Sequence, residues 1–129
     1  MSQPALLGSI GQIARTVKDI DAAKAWYGAV LGLPLLIEAE GMAFFDAGGT
    51  RLYLQQSADA GGESILYFRV ADIMATHAQL SARGVQFLRP PHPVHRHADG
   101  SEEWLAFFAD PEQRPLALMA LVRPDTASM

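Results

Sequence analysis

The chain writes one pattern twice, and that repeat limits the architectures open to it. Val17-Lys18-Asp19-Ile20 recurs as Val70-Ala71-Asp72-Ile73, 53 positions on. Each copy leads into a run with helical spacing of apolar residues, and each run meets a glycine, Gly32 or Gly84. Self-similarity at a fixed period is the mark of one supersecondary unit used more than once. With 129 residues, the chain reads as a single domain made of two half-size modules that share a core.

In the first module, Ile10 to Val17 reads as a strand, with Arg15 interrupting its apolar side. Asp19 or Asp21 is placed to cap the next helix. Ile20, Ala23, Tyr27, Val30 and Leu31 recur at helical spacing and predict one buried stripe, with Trp26 on its flank. Gly32 and Pro34 end the helix. Leu35 to Glu38, Met42 to Ala47 and Arg51 to Gln56 predict three strands joined by glycine turns at Gly41 and Gly48-Gly49.

A polar, glycine-rich linker covers 57–63. The second module repeats the order: strand 64–70, helix 72–83, short strand 85–88, strand 104–109, last strand 116–122. Between the second and third of these strands lies a proline-broken segment, 89–101, read as a loop bearing His92, His95 and His97. Residues 1–9 read as a loose arm and 123–129 as a frayed tail. The expected fold class is α+β. Two tandem βαβββ modules, about 10–56 and 64–122, form a curved mixed sheet around a cleft, with the helices on its convex side.

Composition narrows the function classes. A net charge of −4 with scattered Arg83, Arg89, Arg96, Arg114 and Arg123 argues against a nucleic-acid partner, which needs clustered cations. Cysteine is absent, which removes disulfides, thiolate metal sites and cysteine nucleophiles. No signal peptide is read in Met1-Ser2-Gln3-Pro4 and the short apolar patch after it, and no apolar run reaches the ~20 residues of a membrane span. A cytoplasmic protein without a membrane partner is expected. No serine sits in a G-x-S-x-G context, and the glycine pairs serve turns rather than a phosphate loop.

Gln12 to Asp21 with Trp26-Tyr27 and Val30-Leu31-Gly32-Leu33 resembles the opening of the vicinal oxygen chelate superfamily. That superfamily includes glyoxalase I, extradiol dioxygenases, methylmalonyl-CoA epimerase and the fosfomycin and bleomycin resistance proteins. Phe107-Phe108-Ala109-Asp110-Pro111-Glu112-Gln113 with Pro115-Leu116-Ala117-Leu118 after it is similar to the superfamily's closing signature. The resemblance spans about 10–122 and implies a homodimer that binds a small molecule. It also implies a divalent metal whose ligand positions fall on Gln12, Tyr53, Ile65 and Ala117. Only Gln12 offers an ordinary ligand atom there, and Ile65 and Ala117 offer none.

A metal-free binding protein for a small, largely apolar or aromatic molecule is therefore the expected function, with no cofactor. Its expected ligand-binding residues are Gln12, Tyr53, Tyr67, Arg69, His92, His95, Trp104 and Met119. Gln12 and Tyr53 would face each other across the cleft, and Arg69 would hold a carboxylate or phosphate through its planar fork. Trp104 would wall the pocket, a dimer seam or the core. One alternative is a glyoxalase-type lyase or dioxygenase whose divalent metal is held by Gln12 and the histidines of 92–97. Another is a metal-free lyase or isomerase that uses Tyr53, Tyr67 or a histidine as acid or base.

Overall fold

The computed structural model describes residues 6–123. Residues 1–5 of the expected arm and 124–129 of the expected tail lie outside the described residues. The chain is α+β and runs in the order β-α-β-β-β twice. It divides into two compact units, Ile10–Leu66 and a second that runs from Tyr67 and takes in the segment before Ile10.

The repeated Val-x-Asp-Ile pattern turns out to be a helix start. Asp19 caps α1 (Ile20–Ala25) from an extended backbone, φ −130° and ψ 101°, and its carboxylate accepts from Ala22 N at 3.1 Å. Asp72 caps α2 (Ile73–Ala82) with φ −134° and ψ 100°, accepting from Ala75 N at 3.0 Å. In both, the short carboxylate satisfies one amide of the first turn that has no partner within the helix. The isoleucine after each cap is buried, Ile20 at 7% exposure and Ile73 at 2%. Gly32 and Gly84 come after the helices with φ of 76° and 94°, the left-handed conformation that glycine adopts without a Cβ clash.

In the first unit, β1 (Ile10–Val17) runs parallel to β4 (Thr50–Gln56). β3 (Met42–Ala47) pairs antiparallel with β4 and with β2 (Leu35–Ala39), which lies at the end of the order β2-β3-β4-β1. Alternation along each strand sends Ala43, Phe45 and Leu54 toward the helix, where Ile20, Ala23 and Tyr27 meet them. Burying a ring the size of Phe45 contributes on the order of 2–3 kcal/mol.

The predicted stripe is only half right. Val30 and Leu31 are 67% and 50% exposed, although their spacing predicts burial. From Trp26 to Val30 the helix widens to π geometry, and Leu31 N donates to Trp26 O at 3.1 Å. One extra residue per turn carries the next apolar positions off the packed face.

In the second unit the strand order is β5 (Ile65–Arg69), β8 (Pro115–Val122), β7 (Glu102–Ala109) and β6 (Phe87–Arg96). Ile73, Ala106, Phe108 and Leu118 form its core under α2. Residues 89–96 of the proline-broken segment are not a loop, while 97–101 form a turn. The former are most of β6, a ten-residue strand at the end of the order, with register shifts in its pairing to β7. Pro90, Pro91 and Pro93 lack an N–H, which a terminal strand tolerates because one of its edges has no ladder to feed. The segment before β1 joins this unit: Gly8 N donates to Arg69 O at 2.7 Å, and Arg69 N donates to Ser9 O at 2.8 Å.

Candidate functional site

The strands of each unit have one face under that unit's helix and one face without a helix, and strand register assigns residues to each. In the first unit, β1 and β4 align Gln12 with Arg51 and Ala14 with Tyr53. β4 and β3 align Arg51 with Asp46 and Tyr53 with Phe44. These residues alternate with Leu52, Leu54 and Phe45 of the core, so they occupy the helix-free face.

The rings of Phe44 and Tyr53 stack, with centroids 4.5 Å apart and planes 7° from parallel. The Arg51 guanidinium lies 5.4 Å from the Phe44 centroid, within cation–π range. Burial pushes the Tyr53 phenol above its ordinary pKa, so at neutral pH it is a protonated donor.

Gln12 is 4% exposed, and its Oε1 is buried without a hydrogen-bond partner among the described residues. An acceptor left in that state costs on the order of 1–3 kcal/mol. Gln12 and Tyr53 do not oppose each other as expected. They share one face of one sheet, and the register neighbour of Gln12 is Arg51. Gln56 is committed elsewhere, since its Oε1 accepts from Ile20 N at 3.0 Å.

In the second unit, β7 and β8 align Leu105 with Met119 and Phe107 with Ala117. β6 adds His92 opposite Leu105. Tyr67, 5% exposed, meets Phe107 edge to face at 5.9 Å and 79°. The His92 ring lies 6.3 Å from Phe107 at 31°. Its Nδ1 is 2.8 Å from Pro90 O, and its Nε2 is buried with no partner among the described residues. Tyr67, His92 and Met119 therefore gather around Phe107 and Leu105.

The other predicted residues lie elsewhere. Trp104 lies on the same strand face as Ala106 and Phe108 and packs against the core under α2, where its Nε1 donates to Glu102 Oε1 at 3.1 Å. It is not on the helix-free face. The fork of Arg69 is engaged with Ser9, Nη1 donating to Oγ at 3.0 Å. His95 is exposed, and its ring meets His97 at 4.6 Å, while His97 Nε2 lies 2.9 Å from Glu103 Oε2.

Phe44, Arg51, Leu105 and Phe107 were missed in the sequence. Phe44 was within reach: counting outward from the two-residue turn at Gly48-Gly49 pairs it with Tyr53.

The divalent metal that the family resemblance implies does not fit these residues. Ile65 and Ala117 have no donor atom, and Gln12 supplies a single neutral oxygen. Among the described residues, no group of three or more His, Cys, Asp or Glu side chains is placed to hold a cation. No described helix is long and apolar enough to cross a membrane.

Comparison with solved structures places this fold among known ones. Methylmalonyl-CoA epimerase from Mycobacterium tuberculosis superposes with a TM-score of 0.72 at 21% identity, over 100% of this chain and 97% of that one. A glyoxalase/bleomycin resistance protein/dioxygenase superfamily member from Vibrio splendidus 12B01 gives 0.66 at 13% identity, over 85% and 96%. A Streptomyces coelicolor methylmalonyl-CoA epimerase variant, in complex with 2-nitronate-propionyl-CoA, gives 0.62 at 23% identity, over 88% and 94%. No functionally curated protein matches the chain. The sequence profile of one family matches residues 9–113, most of the chain. By that match and the duplicated βαβββ fold, the chain belongs to the glyoxalase/bleomycin resistance protein/dioxygenase superfamily.

Proposed function

We propose that this protein binds a small, largely apolar or aromatic molecule on the helix-free strand faces of its units, without the metal set usual in its superfamily. The observation that carries this reading is the exchange of residue types on those faces. The family's ligand positions hold Gln12, Tyr53, Ile65 and Ala117, while aromatic pairs, Phe44 with Tyr53 and Tyr67 with Phe107, line the same surfaces. Aromatic walls with a few polar groups are the usual make-up of a small-molecule site. Gln12, Tyr53 and His92 supply polar groups, and Met119 an adaptable apolar contact. His95 stands at the exposed rim, and Arg69 reads as a positioning residue for the segment at Ser9. A homodimer is part of the proposal, carried over from the family.

Ligand-detected NMR with indole, benzoate and naphthalene tests the reading. At least one probe is expected to bind, and Tyr53→Ala or Phe107→Ala to weaken it by about tenfold. Trp104→Phe, on the helix side, is expected to leave binding unchanged. Absence of binding by all three probes, with stoichiometric uptake of a divalent metal, would overturn it.

A further inference from the structure

We propose that His92 is the hydrogen-bond acceptor by which the unit running from Tyr67 selects its ligand: an apolar or aromatic molecule that carries a hydroxyl or N–H. The inference rests on the reading of that face as a ligand site and adds a chemical requirement to it.

His92 Nδ1 lies 2.8 Å from the carbonyl oxygen of Pro90. A carbonyl only accepts, so Nδ1 carries the proton and Nε2 of the neutral ring presents a lone pair. Pro90 and Pro91 help set this arrangement, because fixed φ values restrict the chain that holds the carbonyl two residues before the ring.

Nε2 is buried and has no donor among the described residues. Apolar side chains stand beside the ring: Leu105 is opposite His92 in the ladder, and the Phe107 and His92 ring centroids are 6.3 Å apart. Tyr67 meets that ring at its edge, 5.9 Å between centroids. A buried acceptor among apolar walls discriminates strongly between ligands, since a molecule without a donor leaves it unsatisfied. The missing hydrogen is assigned to the ligand.

The test uses the full chain, 15N-labelled, with phenol and its methyl ether anisole as matched probes. Two-bond 1H–15N correlation is expected to show His92 as the Nδ1–H tautomer, and phenol to move the Nε2 resonance while anisole does not. Phenol is expected to bind about tenfold more tightly than anisole. His92→Phe should erase that preference, so that phenol and anisole bind equally. An Nε2–H tautomer in the unmodified protein overturns the inference whatever the variant does. Equal affinities overturn it too, because a resident water then supplies the donor, and the aromatic site itself still stands. If neither probe binds, the inference falls, and indole, benzoate and naphthalene decide separately whether the aromatic site stands.

Discussion

Gln113 has a φ of 69°, the only left-handed non-glycine residue among those described. Its counterpart in the first module is Gly49, 64 positions earlier, with φ 98°. Both lie in the turn before the last strand of their module, a two-residue turn after Ala47 and a five-residue one after Ala109. Asp46 Oδ1 accepts from Gly49 N at 2.8 Å, and Asp110 Oδ1 accepts from Glu112 N at 2.8 Å and Arg114 N at 3.0 Å. A side chain in this conformation crowds its own carbonyl, at a cost of roughly 1–2 kcal/mol. Gln113→Gly relieves that cost and gives back part of it as unfolded-state entropy, so a net gain of about 1 kcal/mol is expected in urea denaturation. A variant less stable than the parent would show that the glutamine side chain makes a compensating contact. Acid behaviour is also set by single residues. Asp99 accepts from Ser101 Oγ at 2.6 Å and Ser101 N at 2.9 Å, and these bonds hold its carboxyl below the ordinary carboxylate range, with Arg123 and His97 adding charge attraction. The folded chain therefore ionises Asp99 at a lower pH than the unfolded chain does. The stabilisation is complete above the unfolded value of about 3.9 and disappears as pH falls through the folded one. Between about pH 5 and about pH 2, Asp99→Asn should lose less stability than the parent, as read from urea midpoints. Equal losses would remove Asp99 from the account.

The elements that were legible in the sequence are those governed by local chemistry. Val-x-Asp-Ile announced two helix starts because a cap needs only an aspartate and the next turn's amides. The choice between Asp19 and Asp21 required the structure, which gives the cap to Asp19 and leaves Asp21 as an exposed partner of Lys24 at 3.6 Å. Asp19→Ala and Asp72→Ala should each cost about 1 kcal/mol of stability, while Asp21→Ala should cost little. Similar costs for all three would place the cap elsewhere. Two elements were misread because their conformation depends on where they sit. The prolines of 90–93 look like a loop until β6 is known to be a terminal strand. The apolar spacing of Val30 and Leu31 looks like a buried stripe until the helix widens at Trp26. Trp104 was ambiguous for a related reason: period-2 alternation groups it with Ala106 and Phe108 without saying which group faces the helix.

At the scale of the whole chain, duplication gave two copies of one scaffold without obliging either copy to keep the same chemistry. The helix caps persist in both modules, as Asp19 with Asp72. The four positions implied for metal ligands do not, since Gln12, Tyr53, Ile65 and Ala117 share no ligand character. Metal-binding power is a property of the set: three or more good donors hold a cation, and one neutral amide oxygen does not. The histidines of β6 and the turn after it do not restore it, for His97 is turned to Glu103 and His92 to Pro90. Protein purified without a histidine tag should therefore carry much less than one equivalent of metal by elemental analysis. Its melting temperature should not rise when Mn, Ni, Zn or Fe(II) is added, because a ligand that binds only the folded state must raise it. Stoichiometric metal that is lost in His95→Ala would overturn this and move the chemistry to the edge strand.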